Sequence, residues 1–214
     1  MLRTSIRPPR LAEDILQGIR LGRMYGNEIN PLDVAKALDA HKVKYVLVGG
    51  HAVNGFNGRP RTTVDVDLVA LYPKKAVTVL LAAFPHLKAK DTPVVIRLSF
   101  EDGKEAVDVL KPEPSKLLRR LLSIAKVHPV PKIGKLRIPP VEGVLAAKFA
   151  AMISLGRRAG DRMQDAADFI HIVEANEKLN EELLKELGEL VYEGGATELL
   201  KLLAKARAGE TLDI

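Results

Sequence analysis

The sequence predicts an α/β (α+β) protein: a mixed β-sheet core flanked by helices, followed by a helical C-terminal region. Three observations carry that prediction. Short apolar runs suited to strands alternate with helical patterns as far as about residue 110. Beyond Lys111 helical periodicity dominates and strands are brief. Hydrophobic residues make up 47% of the 214 positions, enough to fill an interior, so disorder is not the default reading. The chain then divides into an N-terminal helical extension (1–30), a core (31–110) and a mostly helical region (111–214).

Residues 11–23 place apolar side chains at helical spacing, and Pro31–Ala40 reads as a second helix. Lys44–Val48 is a buried-strand run ending at Gly49-Gly50, after which a helix opens through Ala52 to Gly55. Arg59–Thr63 reads as loop, Val64–Ala70 as strand and residues 74–84 as helix. Val94–Phe100 and Glu105–Leu110 form an antiparallel pair, because Asp102-Gly103 between them is a hairpin signal.

The chain has no cysteine, which excludes disulfides and thiolate chemistry and fits a cytoplasmic location. No apolar run reaches the roughly 18 residues of a membrane span, and the basic N-terminus has no apolar segment behind it, so neither a membrane nor a secretory signal is expected. Net charge is +6 and uneven. Lys111–Pro140 carries eight Lys/Arg against one acid, while Glu174–Glu193 carries seven glutamates against two lysines. The basic block suits an anionic partner such as RNA or a triphosphate, or is a solvated face. Five scattered histidines form no metal motif, no G-x-S-x-G elbow is present, and 4% aromatics argues against a base-stacking RNA reader.

Candidate chemistry begins at Val64-Asp65-Val66-Asp67-Leu68. Alternate strand residues share a face, so Asp65 and Asp67 point together while Val64, Val66 and Leu68 point to the core. Two carboxylates side by side repel, and a divalent cation is the simplest counterweight; exposed acids on a sheet edge are the alternative. Asp108 lies among apolar residues in Ala106–Leu110, where burial is costly without a partner or a metal. On a neighbouring strand it would complete an all-oxygen site suited to magnesium or manganese. Gly49-Gly50, at a strand end turning into a helix, could present N–H groups to phosphate, or simply make a tight turn. Lys148 falls within the apolar stripe of helix Val141–Met152, so its ammonium must snorkel out or meet an anion, either a triphosphate or a carboxylate. Asp161, Asp165 and Asp168 share one face of the next helix, where solvent exposure and pairing to Arg157, Arg158 or Arg162 would account for them.

Two segments then carry a resemblance. Val46–Val53 (VLVGGHAV) with Gly58–Leu68 (GRPRTTVDVDL), and Ile138–Lys148 (IPPVEGVLAAK) with Arg162–Asp168 (RMQDAAD), resemble the DNA polymerase β-like nucleotidyltransferases. The closest group is the minimal and AbiEii-type (abortive-infection toxin) nucleotidyltransferases, and the likeness spans roughly residues 40–175. It implies that Asp65 and Asp67 ligate Mg2+ (or Mn2+), that Asp108 completes the metal site and helps deprotonate the acceptor hydroxyl, and that Gly49 and Gly50 cradle phosphates. Lys148 would hold the triphosphate, Asp165 would match an acidic position of the family, and Arg61 would meet phosphate. The chain departs from the family pattern in having His51 after the glycines, where a serine form is usual, and in a long Gly50–Asp65 gap. The implied reaction moves an NMP from an NTP to an acceptor hydroxyl on RNA or tRNA, protein or a small molecule. An antitoxin protein would be a partner if the chain is a toxin. A non-catalytic nucleotide- or RNA-binding protein on the same fold is the alternative.

Overall fold

The structure, a computed structural model, describes residues 8–26, 28–130 and 134–212. Residues 1–7 of the N-terminal extension and Lys132 of the basic block lie outside the described residues.

The sequence rules that start helices are visible in the elements. In α2 (Pro31–Ala40), Pro31 sits in the first turn and the Asn30 side chain accepts from the amides of Leu32 and Asp33. Ser115 caps α5 (Lys116–Ile124) and Asn180 caps α8 (Glu181–Glu189) in the same way. The remaining helices are α1 (Leu11–Met24), α3 (Gly49–Asn54), α4 (Pro73–Ala83), α6 (Val141–Met152), α7 (Ala159–Ala175) and α9 (Gly195–Ala208).

The main sheet has five strands in the order β1-β2-β5-β4-β3, formed by Tyr45–Leu47, Val66–Ala70, Lys88–Asp91, Val95–Ser99 and Glu105–Leu110 in chain order. Only the central β2–β5 pair is parallel; the other neighbours are antiparallel. The Asp102-Gly103 turn closes the β4–β5 hairpin, with Gly103 at a φ of +86°. One face of the central strands is apolar: Val66, Leu68, Val107 and Val109 are fully buried, in one core with Ala76 and Leu80 of α4. Strand alternation therefore turns Asp67 and Asp108 to the other face.

Two expectations change, and two elements come in addition to those expected. The glycine pair forms the first turn of α3 instead of preceding it. The second strand begins at Val66, two residues late, so Val64 is 44% exposed in the preceding loop instead of facing the core. A strand over Lys88–Asp91 carries no apolar alternation because it is an exposed edge paired only to β4. The C-terminal region holds a hairpin of its own, β6 (Lys126–Val130) with β7 (Gly134–Ile138), which packs against α2 and β1.

The N-terminal helix α1 packs on α3, and a Cβ on Gly18 would stand 2.1 Å from Asn54 Nδ2. Asn54 is fully buried and grips the backbone of Arg61 twice: Oδ1 accepts from Arg61 N at 2.9 Å and Nδ2 donates to Arg61 O at 2.8 Å. That pair of bonds fixes the loop leading into β2. Replacing Asn54 by alanine removes both bonds and leaves Arg61 backbone groups unsatisfied, a loss of about 2 to 3 kcal/mol. Urea denaturation of Asn54→Ala against the parent measures it.

Candidate functional site

The carboxylates come together because β2 and β5 run parallel in register. Asp67 pairs with Asp108 across the two strands, next-door neighbours on one face. Asp65 lies just before β2, with its carboxylate near the Thr63 hydroxyl (3.5 Å). Two of the acids, Asp67 and Asp65, hold their protons more tightly than usual. Burial, and then the charges of Asp65 and Asp108, push Asp67 up to about 7. Burial and the Asp108 charge raise Asp65 as well.

Asp108 is not idle on this face. Arg97, opposite it on β4, donates from Nε to Oδ1 and from Nη2 to Oδ2, both at 3.1 Å. The third nitrogen, Nη1, pairs with Glu105 at 2.7 Å. Among the described residues no three His, Cys, Asp or Glu side chains are gathered as a metal cage. The donor set itself suits a hard divalent cation: oxygen ligands on one face, with excess negative charge and two of them holding protons too tightly.

Gly49 brings backbone against these acids. It has a φ of +63°, and a Cβ there would sit 1.8 Å from Asp67 Oδ2. A Cβ on Gly50 would meet Thr63 Oγ1 at 2.5 Å. Both positions demand glycine for close approach, whatever they bind. His51 follows them, buried, with no hydrogen-bond partner for either ring nitrogen among the described residues. Burial and the neighbouring Arg61 lower its pKa to about 3, so the ring is neutral and carries no proton-transfer role at ordinary pH.

Behind the acids lies a buried ionic chain. Lys148 Nζ, in α6, sits 2.8 Å from Asp165 Oδ1 and 2.7 Å from Asp168 Oδ2, both in α7. Asp168 also accepts a two-point bond from Arg61, Nε to Oδ1 and Nη2 to Oδ2, each at 2.8 Å. Burial alone would raise Asp168; the Arg61 bonds and the Lys148 charge overcome it and hold the carboxyl below its ordinary value. The other oxygen of Asp165 pairs with Arg157 at 3.0 Å. The solvent-exposed account of this acidic face thus fails for Asp165 and Asp168, which point inward, and holds for Asp161, paired with Arg158. Lys148 meets carboxylates instead of snorkelling.

A cleft of about 350 Å³ opens over Asp67 and Asp108. Arg157 and Arg97 line it together with Lys111 and Ser115, and Val95, Leu110 and Leu118 supply an apolar side. Arg97 and Arg157 were not singled out from the sequence as site residues. Arg97 was findable: it is the one charged residue in an apolar strand, and counting five residues each way from the Asp102-Gly103 turn sets it against Asp108. Arg157 sits in the turn between α6 and α7, and no local pattern distinguishes it from Arg158.

Much of the basic block is paired within the chain at its surface. Lys111 pairs with Asp91, Arg120 with Glu186 of the acidic block, and Arg137 and Lys135 with Asp39, while Arg119 donates to the carbonyls of Pro112 and Glu113. Among the described residues no helix is long and apolar enough to cross a membrane.

No protein-family model matches the chain, and no curated protein matches it. Solved structures do. An antigenic nucleotidyltransferase-like protein from Paracoccidioides brasiliensis superposes with a TM-score of 0.50 at 20% identity, over 92% of this chain and 94% of that one. The protein JHP933 from Helicobacter pylori gives a TM-score of 0.50 at 18% identity, over 92% of each chain. At such identities the likeness is one of fold: this chain has the mixed α/β fold of nucleotidyltransferase-like proteins.

Replacing Lys148 by methionine leaves two buried carboxylates with one cation each, Asp165 with Arg157 and Asp168 with Arg61, a loss of about 3 kcal/mol. Combining it with Asp165→Asn and Asp168→Asn recovers part of that stability. Denaturant midpoints of the single and triple variants check the sign.

Proposed function

We propose that the chain is a metal-dependent nucleotidyltransferase, moving an NMP from an NTP to an acceptor hydroxyl and releasing pyrophosphate. The observation that carries the reading is the in-register pair Asp67–Asp108 on parallel strands, with Asp65 close enough to raise the proton affinity of Asp67. Nothing in a merely structural role calls for two acids side by side on one face of a sheet with a third in the loop just ahead of it. The shared fold with a nucleotidyltransferase-like protein supports it at a coarser level.

Asp65, Asp67 and Asp108 would hold Mg2+ or Mn2+, with Asp108 turning from Arg97 to do so. The bound cation would supply charge neutralisation where the α-phosphate is attacked and acidify the acceptor hydroxyl. The protein's own groups do the rest. Gly49 and Gly50 let phosphate oxygens approach the backbone beside Asp67. Asp108 takes the proton of the acceptor hydroxyl as its oxygen attacks the α-phosphorus and the bond to pyrophosphate breaks. Lys148 and Arg61, each already matched by Asp165 or Asp168, hold the positive wall of the site in place. Arg157 has one carboxylate partner, borders the cleft and is 45% exposed, so it is the cation free to turn to the triphosphate. Asp165 then positions Arg157 and Lys148 together.

The acceptor follows less directly. With Lys111, Arg119, Arg120 and Arg137 engaged within the fold, the basic block lends little support to an RNA or tRNA acceptor, and the half-apolar cleft suits a small hydroxyl compound as well. The AbiEii-type affiliation, and the antitoxin partner that would come with it, rest on the motif resemblance.

The deciding experiment supplies each α-labelled NTP with magnesium and cell extract, comparing the protein with Asp65→Ala/Asp67→Ala. Label transferred only by the unmodified protein supports the reading and reveals the acceptor class. NTP binding without transfer under any condition replaces it with a non-catalytic nucleotide-binding protein. A second outcome concerns pH. Asp67 keeps its proton to about pH 7 in the fold but releases it near pH 4 when unfolded. Native stability from this group is therefore present below about pH 4 and lost as pH rises through about 7. A divalent cation offsets the loss, so Mg2+ should raise the melting temperature more at pH 8 than at pH 5, and Asp67→Asn should flatten the difference.

A further inference from the structure

We propose that Arg97 is a positioning residue that competes with the divalent cation for Asp108 and moves wholly onto Glu105 when the cation is held. The inference rests on reading Asp65, Asp67 and Asp108 as metal ligands, and it concerns how readily they load.

Three contacts carry it. The guanidinium spans both oxygens of Asp108 at 3.1 Å and keeps its third nitrogen on Glu105 at 2.7 Å. Arg97 stands opposite Asp108 on β4, so the strand pairing places the cation there independently of rotamer choice. The Leu98/Ser99 irregularity shifts the register by one residue, which sets Glu105 opposite Ser99 and beside Arg97. The guanidinium is thus shared between two acids, one of them in the catalytic set and one outside it.

The arrangement has a direct electrostatic consequence. A guanidinium on Asp108 cancels the negative charge with which that carboxylate would attract a divalent ion, and repels the ion itself. It also occupies both Asp108 oxygens as a two-point donor. Releasing it into water would cost the bonds just described. Glu105 lowers that cost, because the side chain already touches it and both groups are 42% exposed, so no core packing resists the shift. Arg97 and Glu105 should therefore act on cation affinity with opposite signs. A residue needed only to brace the hairpin would not show this, since losing either partner would loosen the site in the same direction.

The test is direct binding of Mn2+ alone, followed by the electron paramagnetic resonance signal of the free ion, with thermal melts confirming that each variant is folded. Arg97→Gln is expected to bind Mn2+ on the order of tenfold more tightly than the unmodified protein. Glu105→Gln, which leaves Arg97 entirely to Asp108, is expected to bind more weakly. Arg97→Lys keeps the charge and should fall near the unmodified value. Unchanged or weaker binding by Arg97→Gln, or a shift in the same direction for Arg97→Gln and Glu105→Gln, overturns the proposal while leaving the metal reading intact. If Asp65→Ala/Asp67→Ala binds Mn2+ as well as the parent, or if neither the parent nor Arg97→Gln binds it, the metal reading fails and takes this proposal with it.

Discussion

The buried ammonium of Lys148 between Asp165 and Asp168 is the interaction on which the rest of the arrangement depends. A charge at 7% exposure would be untenable without a partner, and here two carboxylates on successive turns of α7 clasp it. Asp168 passes the link to Arg61 in the loop ahead of β2, and Asp165 passes it to Arg157 at the cleft. One ionic chain thereby joins α6, α7 and the loop that delivers Asp65 and Asp67.

Charge is distributed over the site in two layers with different tasks. In one layer Lys148, Arg61 and Arg157 are tied to Asp165 and Asp168, and these pairings give rigidity. The layer in front, Asp65, Asp67 and Asp108, is undercompensated, with Arg97 as its cationic neighbour on the sheet. The unresolved repulsion sits where the cleft opens, at Asp67 and Asp108.

Much of this was legible in the sequence because it depends on short-range pattern. Alternation put Asp67 and Asp108 opposite the apolar residues of their strands, and Asp102-Gly103 paired the right two strands. Helix periodicity put Lys148 on a buried stripe, which left its ammonium either to snorkel out or to meet an anion, and the structure shows the second. What stayed hidden depends on distance in the chain. The partner of Lys148 lies on another helix, and the spacing of Asp161, Asp165 and Asp168 is as compatible with a wet face as with a buried one. Lys88–Asp91 shows no strand pattern because an edge strand with both faces exposed places no demand on its side chains. The start of β2 slipped by two residues because Val64 is apolar, and apolarity alone does not say whether a residue is buried. The basic block, read as a surface for an anionic partner or a solvated face, also meets the acidic block at one point, Arg120 on Glu186, a pairing that sequence distance concealed.

The contact between Gly18 and Asn54 gives α1 a mechanical meaning. Asn54 positions Arg61, Arg61 holds Asp168, and α1 closes over Asn54 so tightly that not even a methyl group fits between them. The first helix is therefore a buttress for a side chain two contacts removed from the acids. Trimming the chain to the stretch that carries the recognisable motifs would leave every proposed ligand in place and take away the wall against which the amide is pressed. Such a shortened protein would keep the inventory of the site but lose its alignment.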